Sequence, residues 1–173
     1  MKPVIHALAL LASSTFGFAQ AKNPVTTVVR EILPRQQKNL IAAAEEMPAD
    51  KFGYKPTPPQ MSFAKLVIHI TESNNYLCAK AAGVSAPKST ELKETDGKDK
   101  LVNALKASFD FCDTALTKVD DSKLGDALEL YGGRKGTRAS ALFFLTNDWA
   151  DHYSAAAMYL RLNGMLPPTA QKK

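Results

Sequence analysis

The sequence predicts an all-α protein, a four-helix bundle whose helices are joined by long connectors. Three observations carry that expectation. Four long segments each place apolar residues at helical spacing, one stripe per segment. Each segment is bounded by capping residues or by glycine and proline stops. No segment shows the alternation of apolar and polar residues that marks a half-buried strand. With 173 residues, 45% hydrophobic and 23% charged, the chain has the length and composition of one globular domain.

The first helix is expected over Asn23 to Glu46, with Pro24 in the first turn, where a proline is tolerated. Val25, Val28, Val29, Ile32, Leu33, Leu40 and Ala44 form its stripe. Pro34 interrupts that stripe and is expected to kink the helix or split it. Met47-Pro48 ends it. The connector from Ala49 to Met61 is held extended by three prolines, with Phe52 and Tyr54 pinning it to the bundle end. Ser62 is a good N-cap for a second helix reaching Ala82 before Gly83. Its stripe is Phe63, Leu66, Ile70 and Leu77, with His69 beside it.

A polar linker from Val84 to Asp96 precedes the third helix, about Gly97 to Val119, striped by Leu101, Leu105, Phe109, Cys112 and Leu116. The connection from Asp120 to Gly136 is expected to hold a short helical turn near Leu124 to Leu130. Its Gly132-Gly133-Arg134-Lys135-Gly136 end is not a phosphate loop: the G-x-x-x-x-G-K-[ST] spacing and a preceding strand are both missing. The fourth helix runs about Thr137 to Asn163. Leu142, Leu145, Trp149, His152, Ala156 and Leu160 line one face, with Ala141, Asp148 and Tyr159 beside them. Gly164 and Pro167 stop it.

Residues 1–21 read as a signal peptide. Lys2 gives a charged start, Val4 to Ala12 a short apolar run, and Ala19-Gln20-Ala21 a small-residue cleavage pattern. The domain then spans residues 22–173 and is expected to be exported, periplasmic or secreted. After cleavage no apolar run is long enough to span a bilayer. The net charge of +5 is spread along the chain without a basic block or a stacking aromatic array, so no nucleic-acid partner is expected.

Removal of the leader also removes His6, leaving His69 and His152. Both fall at inward positions, on different helices. Asp148 sits one turn before His152, so an acid and an imidazole share one helix face. His69, Asp148 and His152 would form a two-histidine, one-carboxylate set with open positions, suited to Zn, Fe, Ni or Mn. Asp151 points about 100° away from His152 around the helix and is not expected to join them. The bland reading of each histidine alone is a hydrogen-bonded core residue.

The chain resembles the DinB/YfiT-like family of metalloenzymes. The likeness covers about Pro24 to Pro168 and rests on three stretches. These are Met47-Pro48 with Phe52 to Thr57, Ser62 to His69, and Asp151-His152-Tyr153 with Tyr159 through Pro168. The resemblance implies a four-helix bundle of crossover topology, holding a divalent metal with three histidines. His69 matches the one on the second helix and His152 the last of an H-x-x-x-H pair on the fourth. Where the family has the remaining histidine, this chain has Asp148. Two outcomes follow: aspartate serves as a ligand and shifts the site toward harder metals, or the site is degenerate and Asp148 only holds a histidine.

Cys78 and Cys112 are an even pair in a chain read as exported, which suggests a disulfide; the alternative is two buried thiols. They can meet only if the second and third helices run parallel, the arrangement that the resemblance suggests. Two functions stay open. One is a metal-dependent hydrolase or transferase acting on a small molecule. The other is a non-catalytic exported bundle that binds a ligand or partner. A homodimer is compatible with either.

Overall fold

A computed structural model describes residues 22–88 and 90–171. The expected signal peptide lies outside the described residues. Four helices dominate: α1 (Pro24–Glu46), α2 (Phe63–Ala82), α3 (Lys98–Leu116) and α4 (Arg138–Leu162). All four match the expected positions to within a few residues. Every apolar residue expected on the stripes of α2, α3 and α4 is buried.

Partner numbers give the topology. Asn74 meets Ser108 and Cys78 meets Cys112, both 34 residues apart, so α2 and α3 run parallel. Met61, Asn74 and Ala81 meet Tyr159, Trp149 and Arg138 in falling order, so α4 runs antiparallel to α2. Val25 meets Asp121 while Glu45 meets Lys106, so α1 is antiparallel to α3. The order is up-down-down-up, and the linker between α2 and α3 must return along the bundle. α2 packs against α3 and α4, and α1 closes the ring on their other sides.

One buried polar group ties three of the helices together. Asn74 is fully buried. Its amide donates to the Ser108 hydroxyl at 3.0 Å, and the Trp149 indole N–H donates to its carbonyl oxygen at 2.7 Å. Ser108 in turn donates to the Leu105 carbonyl at 2.7 Å. Each group is satisfied, as burial requires. The disulfide links Cys78 to Cys112 one turn further on, with Cα atoms 5.3 Å apart.

Two expectations for α1 need correction. The helix continues through Pro34 rather than splitting there. Pro34 is exposed, and a missing bond on the solvent face of a helix costs least, because bonds there already lengthen toward water. Val25 and Val28 are exposed rather than on the core stripe. The first turn is oriented instead by Asp121, whose carboxylate accepts from the Val25 N–H at 2.7 Å, the Thr26 N–H at 3.1 Å and the Thr26 hydroxyl. That turns Thr26 inward and leaves the two valines in an apolar groove with Ile32, Leu142 and Phe143.

The connection before α4 also differs from expectation. The segment expected to form a helical turn contains a strand, β1 (Ala127–Glu129), paired antiparallel with β2 (Lys135–Thr137). Gly132 and Gly133 turn the hairpin with φ of 65° and 76°, a conformation that glycine adopts without strain. Three-residue strands without a buried side chain leave no alternation to read. β2 runs directly into the Thr137–Ser140 capping box of α4.

The ends of the helices are fixed by specific contacts. Phe52 packs edge-on to Phe63 and Tyr54 edge-on to Tyr159, so the connector is pinned as expected. The Tyr159 hydroxyl donates to the Met61 carbonyl at 2.7 Å. At the C-terminus of α2, Gly83 has φ 67° and lies against the Arg138 guanidinium, which donates to the Ala81 carbonyl at 3.2 Å. Gly83→Ala is expected to lower stability by about 1–2 kcal/mol, because the left-handed backbone is strained and Arg138 must leave its carbonyl. Urea unfolding midpoints measure this.

Candidate metal centre

His69 stands on the second turn of α2, where Leu66 and Ile70 face the core and leave it at the edge of the buried arc. Its side chain is 39% exposed, against 17% for Asp148 and 11% for His152. The last two project from α4 one turn apart. Asp148 Oδ1 lies 3.8 Å from His69 Nε2 and 3.6 Å from His152 Nδ1. The imidazoles stack, with centroids 4.7 Å apart and planes 27° apart. One donor atom from each of the three residues can be chosen so that all lie within 4.8 Å of one another. All three residues expected from the sequence are thus brought together by the fold.

The hydrogen bonds restrict the chemistry further. His152 Nδ1 is 2.7 Å from the Asp148 backbone carbonyl, which can only accept. Nδ1 must therefore carry the proton in the neutral ring, and Nε2 keeps its lone pair. A backbone partner on one nitrogen is how metal-binding histidines are commonly oriented. Asp148 Oδ2 is buried and has no hydrogen-bond partner among the described residues. Burial pushes the Asp148 carboxyl above its ordinary range, while His152, His69 and the Ser73 hydroxyl pull it back down. An ionised carboxylate oxygen buried without a partner is costly, and a cation is the group that would relieve it.

The residues present fit a divalent ion. Two atoms each about 2.1 Å from one ion lie at most about 4.2 Å apart, so the 3.8 Å between His69 Nε2 and Asp148 Oδ1 is already in range, and His152 would join through Nε2, the nitrogen that the Asp148 carbonyl leaves free. His69, Asp148 and His152 would hold the ion. Bound there, a divalent metal supplies Lewis-acid polarisation and an acidified water.

The set borders a cavity of about 510 Å³ between α2, α4 and the hairpin. Leu77 and Leu130 give it apolar walls, Phe144 comes from α4, and Tyr131 and Arg134 from the hairpin turn. Tyr131 stacks on Tyr76 with centroids 4.0 Å apart. Burial of its half-covered ring, with Asp148, Tyr76 and Glu72 nearby, pushes the phenol up to about 12 against the pull of Ser73. Asp151 lines the cavity but lies outside the ligand set, in keeping with its position around the helix. Sequence reasoning missed Tyr131, Arg134 and Phe144. The Tyr-Gly-Gly-Arg stretch carried the available signal, since paired glycines between short apolar runs mark a hairpin turn.

Comparison with known proteins agrees with this architecture. Residues 32–156 match the DinB superfamily. A DinB-like protein from Bacillus subtilis superposes with a TM-score of 0.67 at 21% identity, covering 84% of this chain and 99% of that one. A DinB-like protein from Bacillus cereus gives 0.66 at 13% identity, covering 81% and 93%. A mycothiol-dependent maleylpyruvate isomerase gives 0.60 at 13% identity, covering 75% of this chain and 59% of that one. No curated protein matches the sequence. The up-down-down-up bundle and the match over most of its length lead to one conclusion: the chain belongs to the DinB superfamily.

Proposed function

We propose that this protein is an exported, divalent-metal-dependent enzyme of the hydrolase or transferase type, acting on a small molecule at His69, Asp148 and His152. The observation that carries the reading is the convergence of three metal-competent donors, two of which, His69 and Asp148, line an open cavity while His152 backs them from the buried side. A degenerate site would favour a closed core with both imidazoles hydrogen-bonded internally. Here His69 is more than a third exposed and reaches the cavity. Zn, Ni, Fe and Mn all suit the donor set.

The disulfide supports export, since such bonds persist in oxidising compartments. Export in turn weighs against the thiol dependence that one structural neighbour carries in its name, because a cytosolic low-molecular-weight thiol would be scarce outside. Hydrolysis by a metal-activated water is favoured on that ground. Elemental analysis of the purified protein tests the centre. About one divalent ion per chain is expected, with most of it lost in both His69→Ala and His152→Ala. Metal content unchanged by both substitutions would refute the site.

A further inference from the structure

We propose that the cavity takes a small carboxylate-bearing molecule with an apolar body, its carboxylate held by Arg134 and its body against Tyr131, Phe144 and Leu77. This rests on the metal-centre reading above and names the class of substrate that such a site would take.

Arg134 is the single cationic side chain among the cavity residues. Its guanidinium lies 5.8 Å from the centre of the Phe144 ring. Among the described residues it forms no ion pair, whereas Arg138, at the base of the same hairpin, is committed to Asp126 and to the Ala81 carbonyl. Arg134 also sits on a fixed backbone: its carbonyl accepts from the Leu130 N–H at 2.8 Å and its own N–H donates to the Tyr131 carbonyl. A planar guanidinium resting on an aromatic face, with its N–H groups unclaimed by any carboxylate, suits bidentate capture of a carboxylate.

The charges around the cavity favour the same ligand once the metal is present. Asp148 and Asp151 contribute two negative charges and Arg134 one positive charge. A divalent ion makes the net charge positive, so a monoanion is attracted to the loaded site and repelled from the empty one. The remaining walls are apolar or aromatic, and a volume of about 510 Å³ fits a drug-sized or smaller molecule.

The test compares phenylacetate with its neutral isostere phenylacetamide by calorimetric titration of the metal-loaded protein. Wild type is expected to bind phenylacetate at least about tenfold more tightly, in line with a charge-assisted bond. Arg134→Gln should lose that preference while keeping its affinity for phenylacetamide and its metal content. Arg134 is exposed on a turn, and the unchanged metal content reports that the variant is folded. The assignment is overturned if wild type shows no preference for the anion, or if Arg134→Gln retains the preference. Metal analysis made before any ligand is added separates the two failures. A metal-free wild type defeats the metal-centre reading, whereas a loaded wild type indifferent to charge defeats this inference alone.

Discussion

Cys78→Ala with Cys112→Ala is expected to lower unfolding stability by about 3–4 kcal/mol. The bond closes a loop spanning 34 residues, and the chain-entropy relation gives a value in that range for such a loop. The loop contains the whole crossover linker between α2 and α3. Without the bond, the unfolded chain gains the freedom of an open loop of that length. For a domain of this size the loss corresponds to a fall in Tm of roughly 10 °C. Urea unfolding of the double variant beside the oxidised wild type measures it. A thiol titration of denatured, unreduced wild type should find no free cysteine; two titratable thiols would remove the basis of the prediction.

Asp148→Asn is expected to change sign with metal. In chelator the variant should be more stable than wild type by about 1–2 kcal/mol at neutral pH, because it removes a buried carboxylate charge with an unpartnered oxygen. The Asp148 carboxyl is raised in the fold above its ordinary value of 3.8. A raised carboxyl favours folding while protonated, and that contribution is lost as pH rises through the folded-state value. The advantage of asparagine should therefore be largest at neutral pH and shrink as pH falls toward 4. With a divalent metal in excess the order should reverse. Wild type gains stability by mass action, and the variant, short of its only anionic ligand, should bind more than about 100-fold more weakly. Thermal melts in chelator and in zinc read both halves. Equal metal-induced shifts in the two proteins would show that Asp148 is not a ligand.

The helices are legible in the sequence because their signals are local and redundant. Ser62 and Gly83 mark the ends of α2 as well as its stripe does, and the residue spacing in α4 is enough to put Leu145, Trp149 and His152 on the buried face. His69, Asp148 and His152 are legible for a different reason. Beyond residue 21 the chain has two imidazoles, and an acid one turn from one of them narrows the choices to a single constellation. The hairpin is not legible, because its strands are held by each other and by Arg138 rather than by a buried face. The cavity wall it supplies is hidden with it. The outward rotation of Val25 and Val28 is hidden too, since Asp121, 96 residues away from Val25, decides it. Asn74 gives no signal either: an asparagine within the polar run Thr71 to Asn75 has meaning only once its partners on two other helices are known.

That asparagine has a consequence for how the connectors can vary. Asn74 lies five residues after His69 on α2, and its partner Trp149 directly follows Asp148 on α4. Sliding either helix by one turn would break the bond and strand a buried amide and an indole N–H. The axial alignment of the two helices is thus set from inside the bundle, within two turns of the donors. Lengthening or shortening the linkers between helices would leave His69 opposite Asp148 as long as this bond is made. Insertions in those segments are therefore compatible with an intact His69, Asp148 and His152 cluster, and the linkers can change length without moving these three side chains.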